Sequence, residues 1–367
     1  METHNLLDLL NYIEDLKPKK IFVLCGVNSF KKLSIKKALN NLDKKYNFFY
    51  YYKKQFLPEY KELIDITKNI KRFDPDLILA IGGGGVMDYA KIANCINLDE
   101  KLLDHIKNYS YPYKKKFTKL VALPTTAGSG AECTSNAVIY VDGIKYSFES
   151  NLLLPDQFFL IPEFILNSPF KVNASAGFDA LAQAMESLIS MKSNEESKKY
   201  ALKSIKILND NFLNFLGNQD LNLCAKMLIA SNFSGKAINI TKTTAPHAVS
   251  YPFSSLYGFS HGHAVSLFIE NFFEFNFNNL NNSKTEFNLE KRFEEIFKVL
   301  DVKNIKEFVI KIKKIKFQSK LNDNLVKQNI NVKSNLDKIM SGINVLRLNN
   351  NPIRLKKNDI IEIISKK

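Results

Sequence analysis

Arginine and cysteine are both scarce in this chain of 367 residues, and each scarcity excludes a class of function. Arginine occurs only at Arg72, Arg292, Arg347 and Arg354, so the formal net charge of +15 is carried by scattered lysines. Bidentate readers of bases and phosphates favour arginine, and no recognised nucleic-acid module is present, so a nucleic-acid partner is not expected. A basic surface can still attract a small anionic substrate. The four cysteines, Cys25, Cys95, Cys133 and Cys224, lie far apart with no Cys-x-x-Cys pair. That pattern excludes a disulfide frame or a cysteine zinc cage and predicts free thiols in a reducing compartment. No segment approaches eighteen uninterrupted apolar residues, so no membrane partner is expected. The N-terminus, METHNLLDLLNYIEDLKPKK, is acidic and amphipathic and lacks the basic start and cleavage site of a secretory signal. The expected location is cytoplasmic.

What is present is a change of pattern along the chain. The length exceeds what one small core needs, which predicts two domains. In the first, KIFVLCG (20–26), YNFFYYY (46–52), DLILAI (76–81) and KLVALP (119–124) are short apolar runs separated by helix-length segments. That alternation predicts a parallel sheet covered on both faces. NAVIYV (136–141) adds a strand or hairpin arm. A proline-marked stretch, 155–169, precedes helical periodicity in SAGFDALAQAMESLIS and the segments that follow. The expected domains are 1–160, α/β with a parallel sheet, and 161–367, all-helical. There are no internal repeats, and the asparagine-rich segment 276–284 reads as a loop.

Two turns in the first domain suggest a nucleotide. Gly82, Gly83, Gly84 and Gly85 follow a strand and precede a helix, where backbone can approach a pyrophosphate and unpaired helix N–H groups face it. A tight turn alone would look the same, and the spacing is not the G-x-G-x-x-G fingerprint. The second turn, PTTAGSGAE, brings Thr125, Thr126 and Ser129 after another strand. In a parallel sheet both turns project from the same edge, where ligands bind. Asp88 and Lys91 lie one turn apart on the following helix, either as an ion pair on the helix face or with Lys91 near a phosphate or ribose.

The second domain carries possible metal ligands. Asp179 and Gln183 are four apart on one helix face, flanked by alanines. His247 and His261 lie in TTAPHAVSYP and GFSHGHAV, fourteen positions apart. Singly, each histidine reads as a core or surface residue. As a set, a carboxylate, a carboxamide and two imidazoles in small apolar sequence predict a buried divalent-cation site.

Taken in order, IGGGGVMDYAK, LPTTAGSGAE, LLPD, GFDALAQAMES, APHAVSYP and HGHAV resemble the iron-containing, metal-dependent (group III) alcohol dehydrogenase family, across nearly the whole chain. That family is distantly similar to dehydroquinate synthase in its two-domain plan. The resemblance implies an N-terminal dinucleotide-binding domain for NAD or NADP, a helical metal-binding domain, and an active site in the cleft between them. Gly82 to Gly85, Asp88, Thr125, Thr126 and Ser129 fall on its cofactor-contacting positions. Asp179, His247 and His261 fall on its ligand positions for Fe2+, with Zn2+ or Mn2+ as alternatives. Gln183 falls where a histidine is usual, and a carboxamide binds borderline metals less strongly than imidazole. Gly85 and Ala131 also replace serines.

The implied chemistry is NAD(P)H-dependent reduction of a small aldehyde to a primary alcohol, with the metal polarising the carbonyl. His261 and His263 are the expected catalytic histidines, His263 as a proton relay. Within the family the motifs look like the phosphonoacetaldehyde reductase branch, with an anionic aldehyde as substrate and a homodimer as the assembly. Lys145 and Lys242 are candidates for holding the anionic tail. The alternatives are a dehydroquinate-synthase-like cyclase acting on a sugar phosphate, or an NAD-binding relic whose metal site has decayed.

Overall fold

The computed structural model describes residues 2–366 apart from 28–29, 31–33, 43–44, 112–114, 322–323 and 329. The chain divides into two compact units, residues 1–167 with 220–229, and residues 168–219 with 230–367. The division falls inside the proline-marked stretch, a few residues beyond position 160. The assignment of 220–229 to the first unit has no signal in the sequence, because these residues open a long continuous helix.

In the first unit the strands β1 (Lys20–Gly26), β2 (Asn47–Lys53), β3 (Leu77–Gly82), β4 (Lys119–Pro124) and β7 (Gln157–Phe158) form one sheet in the order β2-β1-β3-β4-β7. Every pairing is parallel. Side chains alternate across a strand, so one face carries Phe22, Leu24, Ile78, Ala80, Leu120 and Ala122. The other face carries Ile21, Val23, Leu77, Leu79, Val121 and Leu123. Helices α1 (Leu6–Leu16) and α2 (Ser34–Leu42) cover the second face. Helices α3 (Tyr60–Phe73), α4 (Gly84–Ala93) and α5 (Leu102–Lys107) cover the first. Burial on both faces explains why these strands read as continuous apolar runs. Strands β5 (Asn136–Val141) and β6 (Ile144–Glu149) make an antiparallel hairpin, so the arm expected at 136–141 is present. The chain winds one way from β1 to β2 and the other way from β3 to β4. This makes the C-terminal ends of β1 and β3 a topological switch point, the usual ligand crevice of an open α/β sheet.

The second unit is helical. Helix α6 (Phe170–Ile189) is buried almost all round, which suits its alanine-rich sequence, and it packs against α7 (Glu195–Gly217). A Cβ at Gly177 would sit 2.3 Å from the Phe212 ring, so the glycine lets the two helices close up. Next come α8 (Leu221–Thr241), α9 (Ala245–Tyr257), α10 (His261–Ser266), α11 (Ile269–Asn278), α12 (Leu289–Val299), α13 (Ile305–Gln318), α14 (Leu336–Ser341), α15 (Val345–Leu348) and α16 (Lys357–Ser365). The segment 276–284 is not simply a loop. Helix α11 runs to Asn278 and a 3-10 turn follows at Leu280–Asn282. Buried Asn276 exchanges two side-chain hydrogen bonds with buried Asn351, a tertiary pairing that composition cannot reveal. Lys316 Nζ and Glu270 form a buried ion pair at 2.8 Å, tying α13 to α11. Among the described residues no helix is long and apolar enough to cross a membrane. All four cysteines are buried and none forms a disulfide, and burial pushes the Cys25 and Cys95 thiols up to about 12.

Candidate metal centre and nucleotide turns

The two turns expected to hold a nucleotide are brought together at one sheet edge. Gly82 ends β3 beside Pro124, which ends β4, and the Thr125 N–H donates to the Gly82 carbonyl at 3.0 Å. Gly83 caps α4 and Gly84 opens it. No positive φ occurs from Gly82 to Gly85, so close approach, and not turn geometry, requires these glycines. A Cβ at Gly83 would lie 3.2 Å from Thr126 Oγ1, one at Gly84 2.8 Å from Ser129 Oγ, and one at Gly85 3.3 Å from Lys53 Cε. The result is a helix N-terminus with little side chain over it, flanked by two hydroxyls and a cation.

Asp88 is buried on α4. Burial pushes its carboxyl up to about 6, against the pull of Lys91, Lys145, a Val138 backbone hydrogen bond and Lys53. Lys91 is fully buried, and its ammonium donates to Thr134 O at 2.9 Å, Thr134 Oγ1 at 3.0 Å and Asn136 O at 3.0 Å. It therefore bolts α4 to the start of the β5–β6 hairpin, a role neither sequence reading anticipated. Lys53 ends β2 with its ammonium on the Gln55 and Phe56 carbonyls. Burial holds its pKa below the usual lysine value, opposed by Glu62, Asp88 and Glu59.

In the second unit the expected ligands converge. One donor atom each from Asp179, His247 and His261 lie within 4.8 Å of one another. Asp179 Oδ1 is 3.2 Å from His247 Nε2 and 3.7 Å from His261 Nε2. Metal–ligand bonds of ~2.0–2.2 Å around a tetrahedral ion separate neighbouring donors by about 3.3–3.6 Å. The two separations from Asp179 Oδ1 are close to that spacing, so the three side chains can converge on one cation. Gln183 is beside them, with Nε2 donating to Asp179 Oδ2 at 3.1 Å and Oε1 accepting from Ser234 Oγ at 3.1 Å.

Glu186, which the sequence reading passed over, completes the centre. It lies on the same face of α6, seven residues after Asp179, and is fully buried. One carboxylate oxygen bonds His247 Nδ1. The other accepts from the Thr244 N–H and Oγ1, both at 2.9 Å, and from the His247 N–H at 3.4 Å. Burial acts to lower the His247 pKa, but the Glu186 charge and the hydrogen bonds to Asp179 and Glu186 raise it to about 10. Two buried carboxylates thus flank the His247 ring, and a cation at its Nε2 would offset their charge. The i, i+7 spacing within DALAQAME was the available sequence signal.

Gly262 also went unremarked. A Cβ there would lie 1.9 Å from the Ser175 carbonyl oxygen and 2.9 Å from Asp179 Cβ. This glycine lets α10 touch α6, which is what sets His261 beside Asp179. Tyr251, one turn after His247 on α9, stacks on the His261 ring at 6.0 Å. His263 is not in the donor group. Its ring meets Phe259 edge-on at 4.8 Å, and its backbone N–H donates to Ser175 Oγ at 3.3 Å. Lys145 lies on β6 near Asp88, and Lys242 closes α8 with a left-handed φ of 62°.

The profile of the iron-containing alcohol dehydrogenase family matches residues 1–162, and that of the C-terminal region of the Fe-containing alcohol dehydrogenase family matches 173–367. The chain belongs to this family of oxidoreductases. It is 30% identical over 216 residues to aldehyde-alcohol dehydrogenase 2 of Entamoeba histolytica, a match covering 56% of this chain and 25% of that protein. It is also 30% identical over 222 residues to 4-hydroxybutyrate dehydrogenase of Clostridium kluyveri, covering 59% of each. The chain thus spans only part of the length of these relatives. In fold it is similar to the sulfoacetaldehyde reductase of Bifidobacterium kashiwanohense solved with NAD+. That TM-score is 0.87 at 21% identity, over 100% of this chain and 97% of the other.

Proposed function

We propose that this protein is a metal-dependent NAD(P)H-linked reductase of a small anionic aldehyde, with phosphonoacetaldehyde to 2-hydroxyethylphosphonate as the best-fitting reaction. The observation that carries the reading is the Asp179–His247–His261 donor cluster backed by buried Glu186. A relic would have little reason to keep so much buried charge, because isolating it from water is costly. When bound, a divalent cation, iron by preference with zinc or manganese as alternatives, supplies Lewis acidity at an aldehyde oxygen, and the nicotinamide supplies the hydride.

The chain's own residues do the rest. Glu186 keeps the His247 Nδ1 proton, which turns Nε2 toward Asp179 Oδ1. Gly82 to Gly85 keep the start of α4 bare for a pyrophosphate, with Thr126 and Ser129 offering hydroxyls. Asp88 is a buried acid on the helix that follows that turn. His263 is the candidate to deliver the proton that, with the hydride, converts the aldehyde to the alcohol. Lys145 and Lys242 are the candidates for the anionic tail. Two relatives support a charged substrate, since sulfoacetaldehyde and 4-hydroxybutyrate are both anions. Four buried thiols suit a reducing cytoplasm.

The test is an aldehyde panel that includes phosphonoacetaldehyde and sulfoacetaldehyde, run with NADH and with NADPH on metal-reconstituted protein. The expected result is metal-dependent oxidation of the reduced cofactor, fastest with an anionic aldehyde. Protein that stays metal-free and inert after reconstitution with iron, zinc or manganese would refute the reading.

A further inference from the structure

Gln183 stands where a fourth ligand would be expected, and its surroundings give it a different task. The two oxygens of Asp179 face different neighbours. Oδ1 faces both imidazoles, at 3.2 Å from His247 Nε2 and 3.7 Å from His261 Nε2. Oδ2 faces Gln183 Nε2 at 3.1 Å. The carboxamide oxygen points away from the cluster, 3.1 Å from Ser234 Oγ. Gln183 is only 3% exposed and Ser234 is fully buried.

The nitrogen and oxygen of a carboxamide look alike, and their assignment rests on what surrounds them. Ser234 Oγ is also 3.0 Å from the Ser231 carbonyl, so its single proton has two possible acceptors and does not decide the matter. The amide nitrogen is the group set against Asp179 Oδ2, and the amide oxygen is the group set against Ser234 Oγ.

We propose that Gln183 is a positioning residue and not a metal ligand. Its N–H groups hold the outer oxygen of Asp179, so that the cation is held by three protein side chains, Asp179, His247 and His261. This rests on the metal-dependent reading above. One carboxylate and two imidazoles form an open donor set, with the remaining positions left to solvent and substrate. Outer partners of this kind orient a ligand, and losing one typically weakens metal affinity about 10–100-fold without changing the coordination.

Cobalt(II) gives a readout that needs no turnover. The ion is titrated into wild type, Gln183→Leu and Gln183→His, and the visible ligand-field spectrum of each saturated protein is recorded. Wild type and Gln183→Leu should share band positions and intensities, with Gln183→Leu binding roughly 10–100-fold more weakly. Gln183→His should gain an imidazole and shift the bands. A Gln183→Leu spectrum unlike wild type overturns the proposal, as does complete loss of cobalt by a Gln183→Leu protein whose circular dichroism is unchanged. Should that variant fail to fold, a crystal structure of cobalt-loaded wild type decides. Any Gln183 atom at bonding distance, ~2.0–2.2 Å, overturns the proposal, and separation beyond ordinary ligand range supports it. Wild type that takes up no cobalt overturns the metal-dependent reading itself, whereas a changed Gln183→Leu spectrum overturns only the role given to Gln183.

Discussion

The two candidate sites of this chain are built on opposite plans. The turns at the end of β3 and β4 are made of backbone, with glycines at Gly82 to Gly85 and small hydroxyls at Thr126 and Ser129. The metal centre is made of side chains, with Asp179, Gln183, Glu186 and His247 all buried and linked to one another. A backbone site is damaged by adding atoms, because space is what it provides. A side-chain site is damaged by removing them, because each buried charge depends on its partner. Gly262 belongs to the first plan although it sits within the second, since only a missing Cβ lets α10 reach α6.

Four changes would break or sharpen that contrast. The largest effect is expected from Asp179→Ala. It removes the carboxylate that both imidazoles face, and the proposed aldehyde reduction should fall by about a thousandfold or more with loss of bound metal. Metal analysis beside turnover checks this, and retained metal with retained activity would contradict the ligand assignment. Gly262→Ala comes next. The added methyl would lie 1.9 Å from the Ser175 carbonyl, so α10 must move. The expected cost is about 3 kcal/mol in denaturant unfolding, accompanied by weakened metal binding. Equal stability and equal metal content would mean that His261 does not depend on this contact.

Asp88→Asn probes the first unit through pH. The Asp88 carboxyl is pushed up from 3.8 to about 6, chiefly by burial. A folded-state pKa above the unfolded one gives stability that is complete below pH 3.8 and is lost as pH rises through 6. Across that window wild type should lose about 2–3 kcal/mol relative to Asp88→Asn, at about 1.4 kcal/mol per unit. Urea melts of the cofactor-free protein at several pH values test it, and a stability difference independent of pH would show that Asp88 is not desolvated. The smallest effect is expected from Gly84→Ala. Its methyl would meet the movable Ser129 hydroxyl at 2.8 Å, so nucleotide affinity should weaken by roughly tenfold while metal content stays unchanged. A parallel loss of metal would contradict the independence of the two plans.

Much of this is legible in the sequence. The β1, β3 and β4 runs read as buried parallel strands because both faces of that sheet are covered. Asp179, His247 and His261 stood out because polar residues in apolar sequence need a reason to be there. Lys91 reads from the sequence either as a partner of Asp88 on the helix face or as a phosphate or ribose contact, whereas its ammonium reaches Thr134 and Asn136, more than forty residues away. Asn276 was read as loop composition, and its partner Asn351 lies seventy-five residues on. Glu186 is the hardest to see, since a glutamate in a sequence usually faces water.

The sequence by itself determined the family, the parallel α/β character of the first unit, the helical character of the second, and which residue types stand ready as ligands. Those properties follow from local periodicity and from short motifs whose spacing survives in one dimension. Only the tertiary structure decided that Glu186 fixes His247, that Gly262 brings His261 to Asp179, and that Gln183 turns its nitrogen and not its oxygen toward the acid. Such roles are set by which atoms meet across helices far apart in the chain, and a hydrogen bond's direction depends on its partner as much as on the residue that makes it.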